Sequence, residues 1–100
     1  MPTQTVTFTP ANTMTQEEAI THIRGLLPES VTSFLDIQMG MGGWSRTISE
    51  SGGTYTITNT FTQTAADEYR TLMADVSAGV KSQLATDGWT ISFNPETADL

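Results

Sequence analysis

The feature that most constrains the fold is an alternation of threonine with other residues over positions 54–63. Threonine occupies every even position of this stretch, while the odd positions include Tyr55, Ile57 and Phe61. A period of two is typical of a β-strand that is covered on one face and exposed on the other. We therefore predict a strand here, with the threonines outward and the larger side chains packed against amphipathic helices.

Length and charge limit the class of protein. With 100 residues the chain can form one domain, which we place at residues 1–93, followed by a flexible acidic tail at 94–100. Eleven acidic residues against four basic ones give a net charge of −7, which repels phosphate backbones and anionic lipid. No basic segment leads into an apolar run, and no stretch approaches the roughly 18 apolar residues of a membrane span. We expect a soluble, untargeted chain that binds neither nucleic acid nor membrane.

Threonine is unusually frequent in this chain and lysine is unusually rare. There are nineteen threonines and a single lysine. Threonine favours strands, so the composition indicates many exposed strand positions with few long charged side chains. In this respect the chain resembles small virion or phage accessory proteins.

The N-terminal part predicts a strand followed by a helix. Residues 5–9 alternate like the central stretch, with the apolar side chains inward. The sequence Thr15-Gln-Glu-Glu18 is a capping box, in which a hydroxyl and a carboxylate satisfy free backbone donors at a helix start. We therefore predict a first helix that begins near Gln16 and is stopped by Pro28.

The next segment is predicted to be a second strand. The odd positions from Leu35 to Met41 are apolar, which is the alternation of a strand, and we place its start at about Ser33. Gly42-Gly43 interrupts it, and the apolar residues then shift to even positions, beginning with Trp44. Two interpretations are open: a bulge within one long bent strand, or a hairpin turn at residues 40–43 with a separate strand after it.

A second helix and a last strand complete the pattern. We predict that Thr64 caps a helix running to about Ala85, with an ion pair between Asp67 and Arg70 on its outer side. Residues 89–93 alternate again, which predicts a final strand.

The predicted order is strand, helix, strand, strand, helix, strand. This is the split βαβ arrangement of the ferredoxin-like fold, an α+β architecture with two helices on one face of a four-stranded antiparallel sheet. The first and third strands are then central, and their outward residues form one open face of hydroxyls. That face contains Thr5, Thr7, Thr54, Thr56, Thr58 and Thr60, extended by Thr90 and Ser92 at the edge.

Two families of this topology can be tested against the residues. RNA-recognition modules stack bases on aromatic residues that point outward from the central strands, where this chain has threonine. Acylphosphatases hold phosphate with a loop and an arginine after the first strand, where this chain has Pro10-Ala-Asn-Thr-Met14. Neither function is therefore supported by the residues present.

A third family gives the enzyme alternative. The run Phe61-Thr-Gln-Thr-Ala-Ala-Asp-Glu-Tyr69 resembles the strand-to-helix junction of small cofactor-independent monooxygenases and their stress-response relatives. The resemblance implies a dimer in which two open sheet faces close into a barrel. With threonine on those faces, such a barrel would contain a polar pocket.

His22 is the only histidine, and Glu18 precedes it by one helical turn. We interpret the two as a surface pair, because no other metal-ligating residue stands at ligand spacing and cysteine is absent. No Gly-x-Ser-x-Gly elbow occurs in the sequence. We therefore predict no metal site, no cofactor and no catalytic residue.

The glycine-rich stretch Gly40–Arg46 is a second candidate binding segment. It lacks the lysine of a phosphate loop and opens no helix, so phosphate binding is not expected. Met41, Trp44 and Arg46 are of residue types enriched at protein interfaces, which makes them candidate partner-binding residues. The alternative is structural, with the glycines forming a bulge and Trp44 covering the open end of the core.

The function predicted from the sequence is a non-catalytic protein-interaction or assembly module that docks on a protein partner. The candidate partner-binding residues are those of the glycine-rich stretch together with Thr5, Thr7, Thr54, Thr56 and Thr58. An inhibitor that occupies a basic groove and a structural subunit of a larger particle are both open, and a homodimer is a further arrangement. The barrel-forming small-molecule enzyme is the alternative of a different class.

Overall fold

The computed structural model describes residues 1–100 and shows an α+β chain with a four-stranded antiparallel sheet and four α-helices. The elements are strand β1 (Thr3–Thr9), helices α1 (Gln16–Gly25) and α2 (Glu29–Met41), strands β2 (Trp44–Ser51) and β3 (Thr54–Phe61), helices α3 (Gln63–Met73) and α4 (Ser77–Thr86), strand β4 (Thr90–Asn94) and a short 3-10 helix (Thr97–Asp99). None of the helices combines the length and the apolarity needed to cross a bilayer.

The sheet has the strand order β2-β3-β1-β4, so β1 and β3 are its central strands, as predicted. Val6 lies opposite Ile57 and Thr7 lies opposite Thr56, so the apolar residues of the two strands share one face and their threonines share the other. Because side chains alternate along a strand, all residues of one parity in each strand share a face. One face of the sheet is therefore apolar and the other is covered with threonine.

The helices pack on the apolar face through two clusters of buried side chains. One cluster joins the ends of β2 and β3 to α2 and α3, and its members include Phe34, Leu35, Trp44, Phe61, Tyr69 and Met73. The other joins β1 and β3 to α1 and α4, and its members include Val6, Phe8, Ala19, Tyr55, Ile57, Val80, Leu84 and Trp89. The two clusters are neighbouring parts of one core, since Leu27 and Val76 pack against both.

The predicted strand from Ser33 to Met41 is wrong, because these residues belong to helix α2. Val31, Phe34 and Leu35 are buried together, and their spacing places them on one side of a helix. The alternating apolar residues that suggested a strand are instead exposed: Ile37 is 58% exposed and Met41 is 73% exposed. The burial of one side of the segment favours a helix over a strand. The apolar residues that alternate beyond Leu35 lie on the surface and do not contribute to the core.

Gly42 ends helix α2, so neither the bulge nor the hairpin predicted at residues 40–43 is present. Its φ of 79° is in the left-handed region, and its backbone N–H is bonded to the end of the helix. Glycine adopts this conformation without steric cost and commonly terminates helices in this way. Strand β2 then begins at Trp44, with Trp44 and Ile48 on the apolar face as predicted.

Two glycine substitutions at the end of α2 should have opposite effects. Gly42→Ala forces a β-carbon into the left-handed region and should lower the free energy of unfolding by about 1 kcal/mol. Gly40 lies within the helix, and a β-carbon added there has no atom within 4 Å. Gly40→Ala should therefore raise the free energy of unfolding by about 0.5–1 kcal/mol. Urea denaturation of both variants measures the difference, and equal effects would contradict a helix end at Gly42.

The second predicted helix is divided into α3 and α4. Thr62, not Thr64, caps α3 by accepting a hydrogen bond from the Ala65 N–H at 3.2 Å. The break lies between Met73 and Ser77. It was not predicted, because no proline or glycine marks it in the sequence. Two other predictions are confirmed: the capping box at Thr15 is complete, and Asp67 forms an ion pair with Arg70 at 3.1 Å.

Residues 94–100, for which we predict a flexible tail, begin with the last residue of β4 and then make specific contacts with the domain. Thr97 is buried, and its hydroxyl accepts a hydrogen bond from the Gln4 side-chain amide at 3.0 Å. The Arg70 guanidinium donates to the carbonyl oxygen of Leu100 at 2.7 Å. The segment therefore covers one end of β1 and α3.

Candidate functional site

The face of the sheet opposite the helices carries only uncharged polar side chains, and we call it the hydroxyl face. The strand registers bring residues from all four strands onto it. Its members are Thr3, Thr5, Thr7, Thr9, Ser45, Thr47, Ser49, Ser51, Thr54, Thr56, Thr58, Thr60, Thr90, Ser92 and Asn94. The sequence prediction found the part on β1 and β3 and the edge residues on β4, whereas the contribution of β2 was missed.

The hydroxyl face is ordered in rows that cross the sheet. One row runs from Ser49 through Thr56 and Thr7 to Ser92. Directly opposed side chains in such rows have β-carbons about 5 Å apart. Among these residues only Thr9 and Thr54 share a side-chain hydrogen bond, with their oxygens 2.9 Å apart. Most of the hydroxyls are thus free to donate to, and accept from, another molecule.

The hydroxyl face is also electrically neutral. The only charged residues in the four strands are Arg46 and Glu50, and both have the parity of the helix-covered face. The acidic residues that give the chain its charge of −7 therefore lie on the helices, the connections and the sheet margin. The molecule has one uncharged broad face in an otherwise acidic surface.

Met41, Trp44 and Arg46, the candidate partner-binding residues of the glycine-rich stretch, belong to two different elements, α2 and β2. Met41 is exposed at the end of α2, while Trp44 is only 5% exposed and belongs to the first core cluster. Arg46 is half-buried on the helix-covered face of β2. The structure separates these three residues from the threonines and leaves Trp44 and Arg46 in contact on the inner face, while it brings Thr5, Thr7, Thr54, Thr56 and Thr58 together.

A row of polar residues crosses the apolar side of the sheet, and we call it the polar row. It consists of Arg46, Asn59 and Gln4, which are direct neighbours on β2, β3 and β1. The Asn59 side-chain oxygen accepts a hydrogen bond from the Trp44 indole at 3.2 Å. The side-chain oxygen of Gln4 is buried without a partner. On the sheet the polar row lies between the residues of the two core clusters, which Leu27 and Val76 connect elsewhere.

A cavity of about 90 Å³ lies beside the polar row, and we call it the core cavity. Its walls come from both clusters and include Val6, Leu35, Trp44, Ile57, Phe61, Met73, Val80 and Phe93. The polar side chains that line it are Arg24, Arg46, Asn59 and Tyr69. Burial raises the pKa of Tyr69 to about 12, so its phenol is neutral across the physiological range.

Arg46 has an unusual electrostatic position in this cavity. Its guanidinium carbon lies 5.7 Å from the centre of the Trp44 ring, and it forms no ion pair. Burial lowers the pKa of Arg46, and the neighbouring charge of Arg24 lowers it further, while Asp36 acts in the opposite direction. Arg24 itself is bound by both carboxylate oxygens of Asp36 at 3.1 Å.

The predicted pairing of His22 with Glu18 is wrong. His22 stacks on the Trp89 ring with centroids 4.8 Å apart, and its Nε2 lies 3.2 Å from the Asp87 carboxylate. Glu18 instead completes the capping box with Thr15, and these hydrogen bonds lower the pKa of Glu18. No group of three or more histidine, cysteine or acidic side chains is placed to hold a metal ion.

Sequence reasoning missed the core cavity because its lining residues come from all four strands and all four helices, and no local motif connects them. One signal for it was present, since the shift of apolar residues to even positions after Gly43 puts Arg46 on the inner face with Trp44 and Ile48. A charged residue at an inward position is unusual in a small domain. It indicates either a buried partner or a ligand.

Comparison with known proteins adds no functional assignment. No protein-family model matches the chain, and no curated protein or solved structure matches it either. Function is therefore to be inferred from the chemistry of the hydroxyl face and the core cavity.

Proposed function

We propose that the chain is a non-catalytic assembly module that docks on protein through its hydroxyl face, with a second copy of the chain as the first occupant. The observation that carries this proposal is a broad uncharged face on a molecule with a net charge of −7. Such a module would serve as a structural or accessory subunit of a larger particle, such as a virion.

The strand order supports a ferredoxin-like topology for this module. β1 is joined to β2 through α1 and α2, β2 and β3 form a hairpin, and β3 is joined to β4 through α3 and α4. Each crossover thus carries a pair of helices where the simple pattern has one. All four helices pack on the same side, which leaves the hydroxyl face open to a partner.

Charge favours a second copy over other occupants of this face. Two molecules of the same negative charge repel each other wherever their carboxylates meet. The hydroxyl face is the surface at which they can approach with no charged side chain between them. An inhibitor that uses acidity to occupy a basic groove would instead employ the helices, where the carboxylates lie.

The area of the face sets the expected affinity. Four strands spaced about 4.8 Å apart and about seven residues long cover roughly 450 Å². Stable complexes bury about 800 Å² per partner, so this association should be reversible and in the micromolar range or weaker. The hydroxyls can pair across the interface, because each one both donates and accepts.

Sedimentation equilibrium at low and at moderate salt tests the proposal against electrostatic docking. Association through the hydroxyl face should persist and strengthen modestly as salt rises, because the interface holds no ion pairs to weaken and the added ions screen the repulsion between two chains of net charge −7. If the chain instead binds a basic protein, and that binding weakens steeply as salt rises, the inhibitor would be favoured. A protein that stays monomeric at both salts would overturn self-assembly through this face.

The barrel-forming small-molecule enzyme shares the same dimer geometry, but it needs a pocket between the two sheets. The hydroxyl face supplies neither an aromatic nor a charged side chain to hold a substrate there. The cavity that the chain does possess lies on the opposite side of the sheet, under the helices. The residues therefore favour assembly over catalysis at the hydroxyl face.

A further inference from the structure

The polar row is the clearest departure from the packing rules in this chain. Arg46, Asn59 and Gln4 lie on the inner face of the sheet between the residues of the two core clusters, where the neighbouring rows on both sides are apolar. Polar groups on a buried face destabilise a fold unless they are matched. Such departures are expected where residues serve a function.

Charge pairing singles out Arg46 among the basic side chains. Arg24 is paired with Asp36, Arg70 with Asp67, and Lys81 with Glu96. Arg46 alone has no carboxylate, although the chain contains eleven acidic residues. Since Asp36 already balances Arg24, the mouth of the core cavity carries one uncompensated positive charge.

We propose that the core cavity binds a short-chain fatty carboxylate, with its carboxylate on Arg46 and its hydrocarbon chain among the apolar side chains. The charge at the site calls for a monoanion, and a guanidinium matches the two oxygens of a carboxylate. The wall is apolar apart from its few polar groups, as in small-molecule sites generally. This site is independent of the hydroxyl face.

The size of the cavity limits the length of the chain that it can hold. At about 90 Å³ it is smaller than the roughly 150 Å³ cavity known to bind benzene. The space therefore suits only the last few carbons of an aliphatic chain. Arg46 is half-buried, so in a six-carbon carboxylate the carboxylate and the carbons next to it lie at the opening beside Arg46 while the end of the chain is enclosed.

The two tryptophans provide a built-in probe for this binding. The Trp44 indole N–H is bonded to Asn59 beside the cavity, whereas Trp89 lies outside it against Phe8 and His22. In a ¹⁵N NMR titration with sodium hexanoate, the Trp44 indole signal should shift and saturate while that of Trp89 stays in place. Sodium chloride at matched concentration controls for ionic strength.

Neutral hexanol separates recognition of the carboxylate from simple filling of an apolar space. A charge-assisted hydrogen bond strengthens binding by about tenfold or more, so hexanol should bind at least that much more weakly than hexanoate. Equal binding of the two compounds would overturn the assignment to Arg46. No saturable shift with hexanoate at millimolar concentrations would overturn the site itself.

A matched pair of variants tests whether Arg46 binds the carboxylate. Arg46→Gln should weaken hexanoate binding about tenfold or more, whereas Arg70→Gln makes the same charge change away from the cavity and should leave binding unchanged. Retained binding in Arg46→Gln would contradict the proposal. If that variant does not fold, the comparison of hexanoate with hexanol on the wild-type chain still decides the question.

Discussion

Replacing Phe8 with alanine should lower the free energy of unfolding by about 3–5 kcal/mol, the largest stability effect that we expect in this chain. Phe8 is fully buried in the central strand β1. Its ring stacks on Tyr55 with centroids 5.3 Å apart and on Trp89 with centroids 5.7 Å apart. The substitution therefore removes a large buried side chain, leaves a cavity and breaks two aromatic contacts at once.

Thermal and urea denaturation measure this effect, with Phe93→Ala as the matched control. A loss of 3–5 kcal/mol should lower the melting temperature by roughly 15 °C or more in a domain of this size. Phe93 lies on the edge strand β4, is only half-buried and should cost clearly less. Equal losses in the two variants would contradict the placement of β1 at the centre of the core.

Replacing Thr58 with glutamate should abolish self-association. Thr58 lies in the middle of the hydroxyl face, opposite Thr5 on one side and Thr47 on the other. In a dimer that buries this face, two new carboxylates would be brought together in an enclosed space. Like charges placed opposite each other cost several kcal/mol, so the dissociation constant should rise about a hundredfold or more.

The matched control for this variant is Thr21→Glu, which makes the same chemical change at an exposed position on α1. Sedimentation velocity should show dimer for Thr21→Glu and monomer for Thr58→Glu at the same protein concentration. Circular dichroism and thermal melting check that both remain folded, since glutamate is mildly unfavourable in a strand. Equal association of the two variants would exclude the hydroxyl face as the interface.

The parts of the fold that were predictable from the sequence are those set by local chemistry. The alternation at residues 54–63 identifies β3 and its outward threonines without any knowledge of the partner strands. The capping box at Thr15 places the start of α1, because its two hydrogen bonds involve neighbouring residues only. Repeating the same alternation on β1 was then enough to find the centre of the hydroxyl face.

The parts that were not predictable depend on contacts between distant elements. Residues 35–41 alternate as a strand would, and only the joint burial of Val31, Phe34 and Leu35 against β2 and α3 makes them a helix. The core cavity is formed by side chains from both core clusters and has no local motif. Arg46 became a candidate ligand-binding residue only when its neighbours showed that it has no carboxylate partner.

The central claim, that the hydroxyl face joins two copies of the chain, is tested most directly by the solution mass of the wild-type protein. Sedimentation equilibrium from micromolar to millimolar concentration should show the mass rise from 10.8 kDa toward twice that value at low salt, and at least as strongly at moderate salt. A mass that remains at 10.8 kDa over the whole range would contradict the claim.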